Sequence, residues 1–241
     1  MGNLYLFIFL ALLAEIAGTV GGFGSSLFFV PIASYFLDFQ SVLGITALFH
    51  VSSNISKIAF FRKGINTMLI IYLGIPAVLF VIVGAWITQF IATRILEITL
   101  SIFLIIISVF FLYFKNIKIQ PTKLNAISGG TVSGFVAGLV GTGGAIRALV
   151  LSAFNLQTDV FIATSAIIDL GIDASRSLVY WHNGFVHNHD LYLIPILLVV
   201  SIIGTYIGKK ILNHVSEKQF KKIVLILILL TGIFTLYKLI Q

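Results

Sequence analysis

The sequence predicts an all-α integral membrane protein. It reads as two inverted repeats, each a broken helical hairpin followed by three transmembrane helices. Three observations predict this. The 241 residues are 59% hydrophobic and 10% charged, with a mean hydropathy of +1.11, whereas a soluble domain carries roughly 25% charged residues. Two glycine-rich breaks recur 120 residues apart. The Lys and Arg residues segregate strongly across the membrane only if each break folds the chain back on itself.

A spanning helix needs about 20 apolar residues. The first apolar segment, about 4–37, is interrupted at Gly21-Gly22-Phe23-Gly24 and is read as a hairpin. Helices are expected over about 42–61, 67–91 and 96–114. Lys118-Ile119-Gln120-Pro121 joins the halves, 1–118 and 121–241. The second hairpin, about 124–156, is interrupted at Gly141-Thr142-Gly143-Gly144, and helices follow over about 160–181, 190–212 and 219–239. Each helical glycine costs about 1 kcal/mol relative to alanine, so three in four positions mark an interruption.

The halves are copies. At an offset of 120, Gly18, Val20, Gly21 and Gly24 match Gly138, Val140, Gly141 and Gly144. Gly64 and Gly84 match Gly184 and Gly204, and Pro76 matches Pro195 one residue out of step.

Twelve of the 15 Lys and Arg lie at segment ends. If both broken segments cross fully, they divide six to six. If both are hairpins, Arg62, Lys63, Lys115, Lys118, Lys123, Lys209, Lys210, Lys218, Lys221 and Lys222 share one side, opposite Arg94 and Lys238. The positive-inside rule selects the ten-to-two arrangement, with those ten cytoplasmic and both termini outside. Each half then crosses three times, so the second is inverted. Inverted repeats with discontinuous helices place a substrate site near the midplane. A multi-pass protein of the cell membrane is expected.

The N-terminal MGNLYLFIFLALLAEIAG lacks a basic signal-peptide n-region and a myristoylation Ser or Thr, and is read as mature chain. Absence of Cys excludes disulfides and thiolate metal sites. The net charge of +7 belongs to span flanks rather than to nucleic-acid binding. The expected partners are the bilayer and a small-molecule anion. A homodimer is compatible with this composition, and no cofactor is expected.

Three cations, Lys57, Arg147 and Arg176, and three acids, Glu15, Asp169 and Asp173, remain within apolar segments. Intramembrane charge is expensive and points to function or to a partner. His50, Asn54 and Lys57 share one helix face at i, i+4 and i+7. Asp169, Asp173 and Arg176 repeat that spacing 119 residues on, and Thr46 and Ser165 extend the two stripes. A helix restarting after a break presents free N–H groups and a partial positive charge, which suits an anion. The first restart is expected near Ser25, with Ser25, Ser26 and Gly24. The second is expected near Gly144, with Thr142, Gly143, Gly144 and Arg147 in its first turn. Arginine reads oxyanions in bidentate fashion, so the expected ligand is a carboxylate, a sulfonate or sulfite. Asn54, Lys57 and Arg176 would support it, while Asp169, Asp173, His50 or Glu15 would carry a coupling proton. The competing reading of Arg147, Arg176 and Lys57 is structural pairing with the acids.

Other motifs are weaker. HNGFVHNHD, with His182, His187, His189 and Asp190, offers metal-ligand types but reads as a solvated outer loop, so no metal is expected. GTGGAIR lacks the GK[ST] of a P-loop, and no motif fixes a catalytic Ser–His pair. An anion channel, or a hydrolase using Ser25 or Ser26 with His50, stands as the alternative.

GTVGGFGSSLFFVPIASYFLDFQSVLGITALFHVSSNISKIAFFRKGIN resembles the sulfite exporter TauE/SafE family. So does its second copy, GLVGTGGAIRALVLSAFNLQTDVFIATSAIIDLGIDASRSLVYWHNG. The shared elements are the breaks, Pro31 and Leu151, Thr46 and Ser165, and Tyr180 to Gly184. The first break, GGFGSS, has a shorter glycine run than the family often shows. The resemblance spans nearly the whole chain and implies a secondary transporter, commonly an exporter, of sulfite, thiosulfate, sulfoacetate or related sulfonates by alternating access.

Overall fold

The computed structural model describes residues 2–22, 24–114, 119–212 and 217–240. Phe23, Lys115 and Lys118 lie outside these residues, as do the side chains of Lys218, Lys221, Lys222 and Lys238. The charge count over those cations is therefore outside what the structure describes.

The described chain is helical and contains no β-strand. The helices are α1 (Gly2–Gly21), α2 (Ser26–Ala33), α3 (Phe39–Phe60), α4 (Thr67–Phe90), α5 (Thr93–Tyr113), α6 (Lys123–Val140), α7 (Gly144–Ser152), α8 (Thr158–His182), α9 (Leu193–Leu212) and α10 (Glu217–Ile240). The six expected helices outside the breaks all appear, their ends displaced by at most three residues. The two interrupted segments have unequal arms: α1 and α6 hold 20 and 18 residues, α2 and α7 only 8 and 9. At 1.5 Å per residue α1 is about 30 Å long, enough to cross a bilayer alone.

Local chemistry sets the ends. Asp38 caps α3 by accepting from the Ser41 N–H at 3.0 Å, Asn66 caps α4 from Leu69 at 3.1 Å, and Thr122 caps α6 from Asn125 at 3.2 Å. Both breaks need left-handed backbone, at Gly24 (φ 81°) and Gly141 (φ 81°), where a side chain would be strained. In α4, Pro76 has no N–H and its ring would meet the Tyr72 carbonyl. The turn before it, Ile70–Gly74, widens to a π-helix.

Five helical stretches among the described residues are long and apolar enough to cross a membrane, within α1, α3, α4, α5 and α9. α8 has the length but also carries Asp159, Asp169, Asp173 and Arg176. Apolar residues such as Ile75, Leu79 and Trp86 of α4 and Ile102 and Ile106 of α5 face outward, while Glu15, Arg147, Asp173 and Arg176 are buried. This is the arrangement lipid requires.

The halves interlock. α3 packs on α8, α4 on α6, α1 on α9 and α5 on α10; α3 also packs on α9, and α4 on α8. Contact registers give the directions. Gly130, Gly134 and Gly138 of α6 meet Leu73, Ala77 and Val81 of α4, so these helices run parallel. Gly204 and Gly208 of α9 meet Glu15 and Thr19 of α1, again parallel. α3 runs antiparallel to α8. At one end Ser41 meets His187, in the middle Asn54 meets Asp173, and at the other Lys63 meets Asp159 at 2.8 Å. Arg94 meets Leu239 and Gly232 meets Ser101, so α5 and α10 are antiparallel. Ser52 meets Ser201, and Lys209 meets Phe60, so α3 and α9 are parallel. α1 and α3 therefore point the same way, and the chain must return between them through α2. Lys63 lies outside the spans, where hydrogen bonding to the Asp159 carboxylate, together with its charge, holds the ammonium above the usual lysine range.

Small residues let the backbones touch. A Cβ on Gly134 would lie 2.1 Å from the Ala77 carbonyl oxygen, and one on Gly171 would lie 3.0 Å from a Val78 methyl. Gly134→Ala should therefore destabilise the fold by about 1–3 kcal/mol. Gly171→Ala should cost less, because a side chain can turn where backbone cannot. Thermal unfolding of both variants in detergent checks this ordering.

Candidate functional site

The two breaks meet where α3 crosses α8. Ser26 Oγ, at the start of α2, lies 3.2 Å from Thr142 Oγ1, just before α7. Around this junction lies a polar cavity lined by Gly24, Ser25, Ser26, His50, Asn54, Lys57, Gly143, Gly144, Arg147, Asp169, Asp173 and Arg176. With Thr142 at its edge and Glu15 directly behind Ser25, the structure gathers every residue the sequence singled out for the site. Thr46 alone of the two stripes stands apart, buried one turn away and with no hydrogen-bond partner for its hydroxyl.

Every charge in this cluster has an opposite. Glu15 is fully buried. It accepts from Ser25 at 2.5 Å, Ser53 at 2.6 Å and Thr205 at 3.0 Å, and faces Lys57 Nζ at 3.0 Å. Lys57 also donates to Ser53 at 2.7 Å. Asp173 takes Arg176 Nε and a terminal guanidinium nitrogen at 2.8 and 2.7 Å on one oxygen, and Asn54 Nδ2 at 2.7 Å on the other. Arg147 donates to Asp169 at 2.5 Å and to Ser165 at 3.3 Å. Three cations thus face three carboxylates. His50 bridges them, with Nε2 3.2 Å from Ser25 Oγ and Nδ1 4.0 Å from Asp173.

The placement of Arg176 has a backbone cause. It donates to the carbonyls of Gly141 at 2.7 Å and Ala137 at 3.2 Å, at the end of α6. Ala137 keeps the Gly141 N–H as its helical partner at 3.0 Å, so Arg176 is a second donor there, and a cation suits that negative helix end. Arg147 is placed oppositely. It stands in the first turn of α7, where the dipole disfavours it, and Asp169 compensates. Arg147 is thus paired with Asp169 beside the N–H groups that begin α7.

Sequence reasoning missed Ser53 and Thr205, and named Tyr180 only as part of the family resemblance. Ser53 is four residues before Lys57, a spacing that could have revealed it. Thr205 gave no signal, and the contact of the Tyr180 hydroxyl, which donates to the Gly138 carbonyl at 2.6 Å, gave none either, because both act across the fold. In the loop 182–190, His182 and His189 are exposed. Asp190 is buried and accepts from Ser41 at 2.6 Å, while His182 stacks apart on Trp86.

The family described as sulfite exporter TauE/SafE matches residues 7–235. The chain belongs to the sulfite exporter TauE/SafE family. A "probable membrane transporter protein" of Methanocaldococcus jannaschii is 28% identical over 254 aligned residues, covering 96% of this chain and 94% of that one. No solved structure gives a significant match.

As a member of the TauE/SafE family, the protein is a multi-pass membrane transporter and not an enzyme. The hydrolase alternative falls with that. Ser25 does meet His50, but its hydroxyl donates to Glu15, so the proton a base would remove is already committed.

Removing one partner of a buried pair costs about 3–5 kcal/mol, because a buried charge is left unmatched. Arg176→Gln should lower stability on that scale, and Arg176→Gln with Asp173→Asn should recover much of it. Thermal unfolding of the two single variants and the double variant measures the coupling.

Proposed function

We propose that this TauE/SafE transporter is a secondary carrier, working chiefly as an exporter, of sulfur-containing anions such as sulfite, thiosulfate, sulfoacetate or a similar sulfonate. The substrate sits between the two breaks. Arg147 and the N-terminal N–H groups of α2 and α7 hold it, with Ser25, Ser26, Thr142, Gly143, Gly144 and Gly24 around it. Asn54, Lys57 and Arg176 shape the positive side. The single observation that carries this is the matched set of three cations and three carboxylates around one cavity. An entering anion leaves that set one charge out of balance, and burying an unmatched charge costs several kcal/mol. A proton taken up by Asp169 restores neutrality and frees Arg147 to turn to the substrate. Asp173, His50 and Glu15 are the other proton acceptors in reach.

The architecture we propose is a pair of inverted repeats that rock against each other. Its support is directional: α1 and α6, α3 and α8, α4 and α9, and α5 and α10 occupy corresponding places and run oppositely. α1 and α3 run the same way, so α1 and α2 form a hairpin that returns to its own side. Asp38 is then external and Asp159 cytoplasmic. A single cysteine at 38 should react with an impermeant reagent from outside, and one at 159 only from inside. Cytoplasmic labelling at 38 removes the hairpin topology.

Ligand-induced thermal stabilisation of the purified protein tests the substrate class. Sulfite, thiosulfate or sulfoacetate should raise the unfolding temperature where acetate, taurine and chloride do not, and Arg147→Gln should abolish the shift. In proteoliposomes Asp169→Asn should lose pH-driven flux and keep substrate exchange. Saturable flux separates the carrier from an anion channel, whose flux stays linear.

A further inference from the structure

A second cluster of ligand-type side chains sits away from the transport site, at the end of the α3–α8 pair where α3 begins. Asp38 comes from the first half, and His187, His189 and Asp190 come from the turn between α8 and α9. One nitrogen of each histidine and one carboxylate oxygen of each aspartate all lie within 4.8 Å of one another. The close pairs are Asp38–His187 at 3.7 Å, His187–Asp190 at 3.9 Å and His189–Asp190 at 3.5 Å. Four ligands about 2.0–2.2 Å from a tetrahedral zinc ion stand roughly 3.4 Å from each other. These three edges need to contract by up to about half an ångström, and the remaining edges, all within 4.8 Å, by at most about 1.4 Å.

The surroundings orient these atoms. Asp38 commits Oδ1 to the Ser41 N–H as the cap of α3, which leaves Oδ2 toward the histidines. Ser41 Oγ donates to Asp190 at 2.6 Å, fixing a carboxylate that is 3% exposed. The His187 and His189 rings stack 5.3 Å apart, only 8° from parallel, and since an imidazole lone pair lies in the ring plane, the exposed His189 ring turns to bring its nitrogen to a shared ion. Asp38 and His189 are 55% and 74% exposed, which leaves an ion a way in from water. Ser41 Oγ also lies 2.6 Å from His187 Nδ1 and would yield that contact to an ion.

We propose that Asp38, His187, His189 and Asp190 form a binding site for a divalent first-row transition ion of the zinc class. Two imidazoles and two carboxylates suit such an ion better than magnesium or calcium, which prefer all-oxygen shells. Because Asp38 belongs to one half and the other three ligands to the second, the ion ties the start of α3 to the α8–α9 turn. It thereby joins two elements that rock past each other in the transport cycle.

The test uses full-length protein in detergent with the purification tag removed and metals stripped by chelation. Calorimetric titration with Zn2+ should give one saturable site per chain, and Zn2+ but not Mg2+ should raise the unfolding temperature. Co2+ should give the intense visible bands of a tetrahedral complex. Asp38→Asn, which keeps a capping side chain, should weaken Zn2+ binding at least tenfold. His187→Ala with His189→Ala should abolish it, and His182→Ala should leave it unchanged. Absence of saturable Zn2+ binding in the native protein overturns the proposal. So does binding of equal strength in Asp38→Asn and the double histidine variant.

Discussion

Glu15, Asp169, Asp173, Lys57, Arg147 and Arg176 sit between helices whose outer faces meet lipid, and none of these groups can be solvated there as in water. Each must be neutralised by another, and that requirement organises the rest. It brings α1 against α3 through Glu15 and Lys57, α7 against α8 through Arg147 and Asp169, and α6 against α8 through Arg176. Replacing such a pair with apolar residues is often neutral or stabilising. Fold stability alone therefore does not account for three of them in one place. The proposed anion site, which would exchange an internal partner for an external ion, offers a reason for them.

The breaks follow from the same constraint on the backbone. Carbonyls and N–H groups released inside a membrane must find partners or line a polar cavity. At the end of α6, Arg176 and Tyr180 donate to the last carbonyls, those of Ala137, Gly138 and Gly141. The starts of α2 and α7 have no side-chain cap, and both border the cavity. At the second break the carbonyl end is thus closed by the protein, and at both breaks the N–H end borders the cavity.

The glycine seams bear on motion. α4 lies on α6 with backbones in contact, and α9 takes the Glu15 and Thr19 side chains of α1 against Gly204 and Gly208. Each pair joins a broken segment of one half to an unbroken helix of the other. The carbonyl ends of the breaks are anchored across the halves by these seams, while α2 and α7 meet mainly through Ser26 and Thr142. Relative movement of the halves would shift the cavity walls more easily than the seams.

The sequence by itself determined the membrane class, the two breaks, their 120-residue repeat and both polar stripes. Those properties live in composition, in glycine's backbone freedom and in helical periodicity, all local along the chain. It also left Arg147 open between gripping an anion and pairing with an acid, since spacing cannot say which carboxylate lies across an interface. Only the tertiary structure decided that Arg147 faces Asp169, that Lys57 faces Glu15 rather than reaching toward solvent, and that Arg176 closes the end of α6. It alone joined Asp38 to His187, His189 and Asp190. These partners are 22 to 152 residues apart in sequence. Their meeting depends on the direction in which each helix runs against its neighbour, and that direction is set by packing between the halves rather than by any one segment.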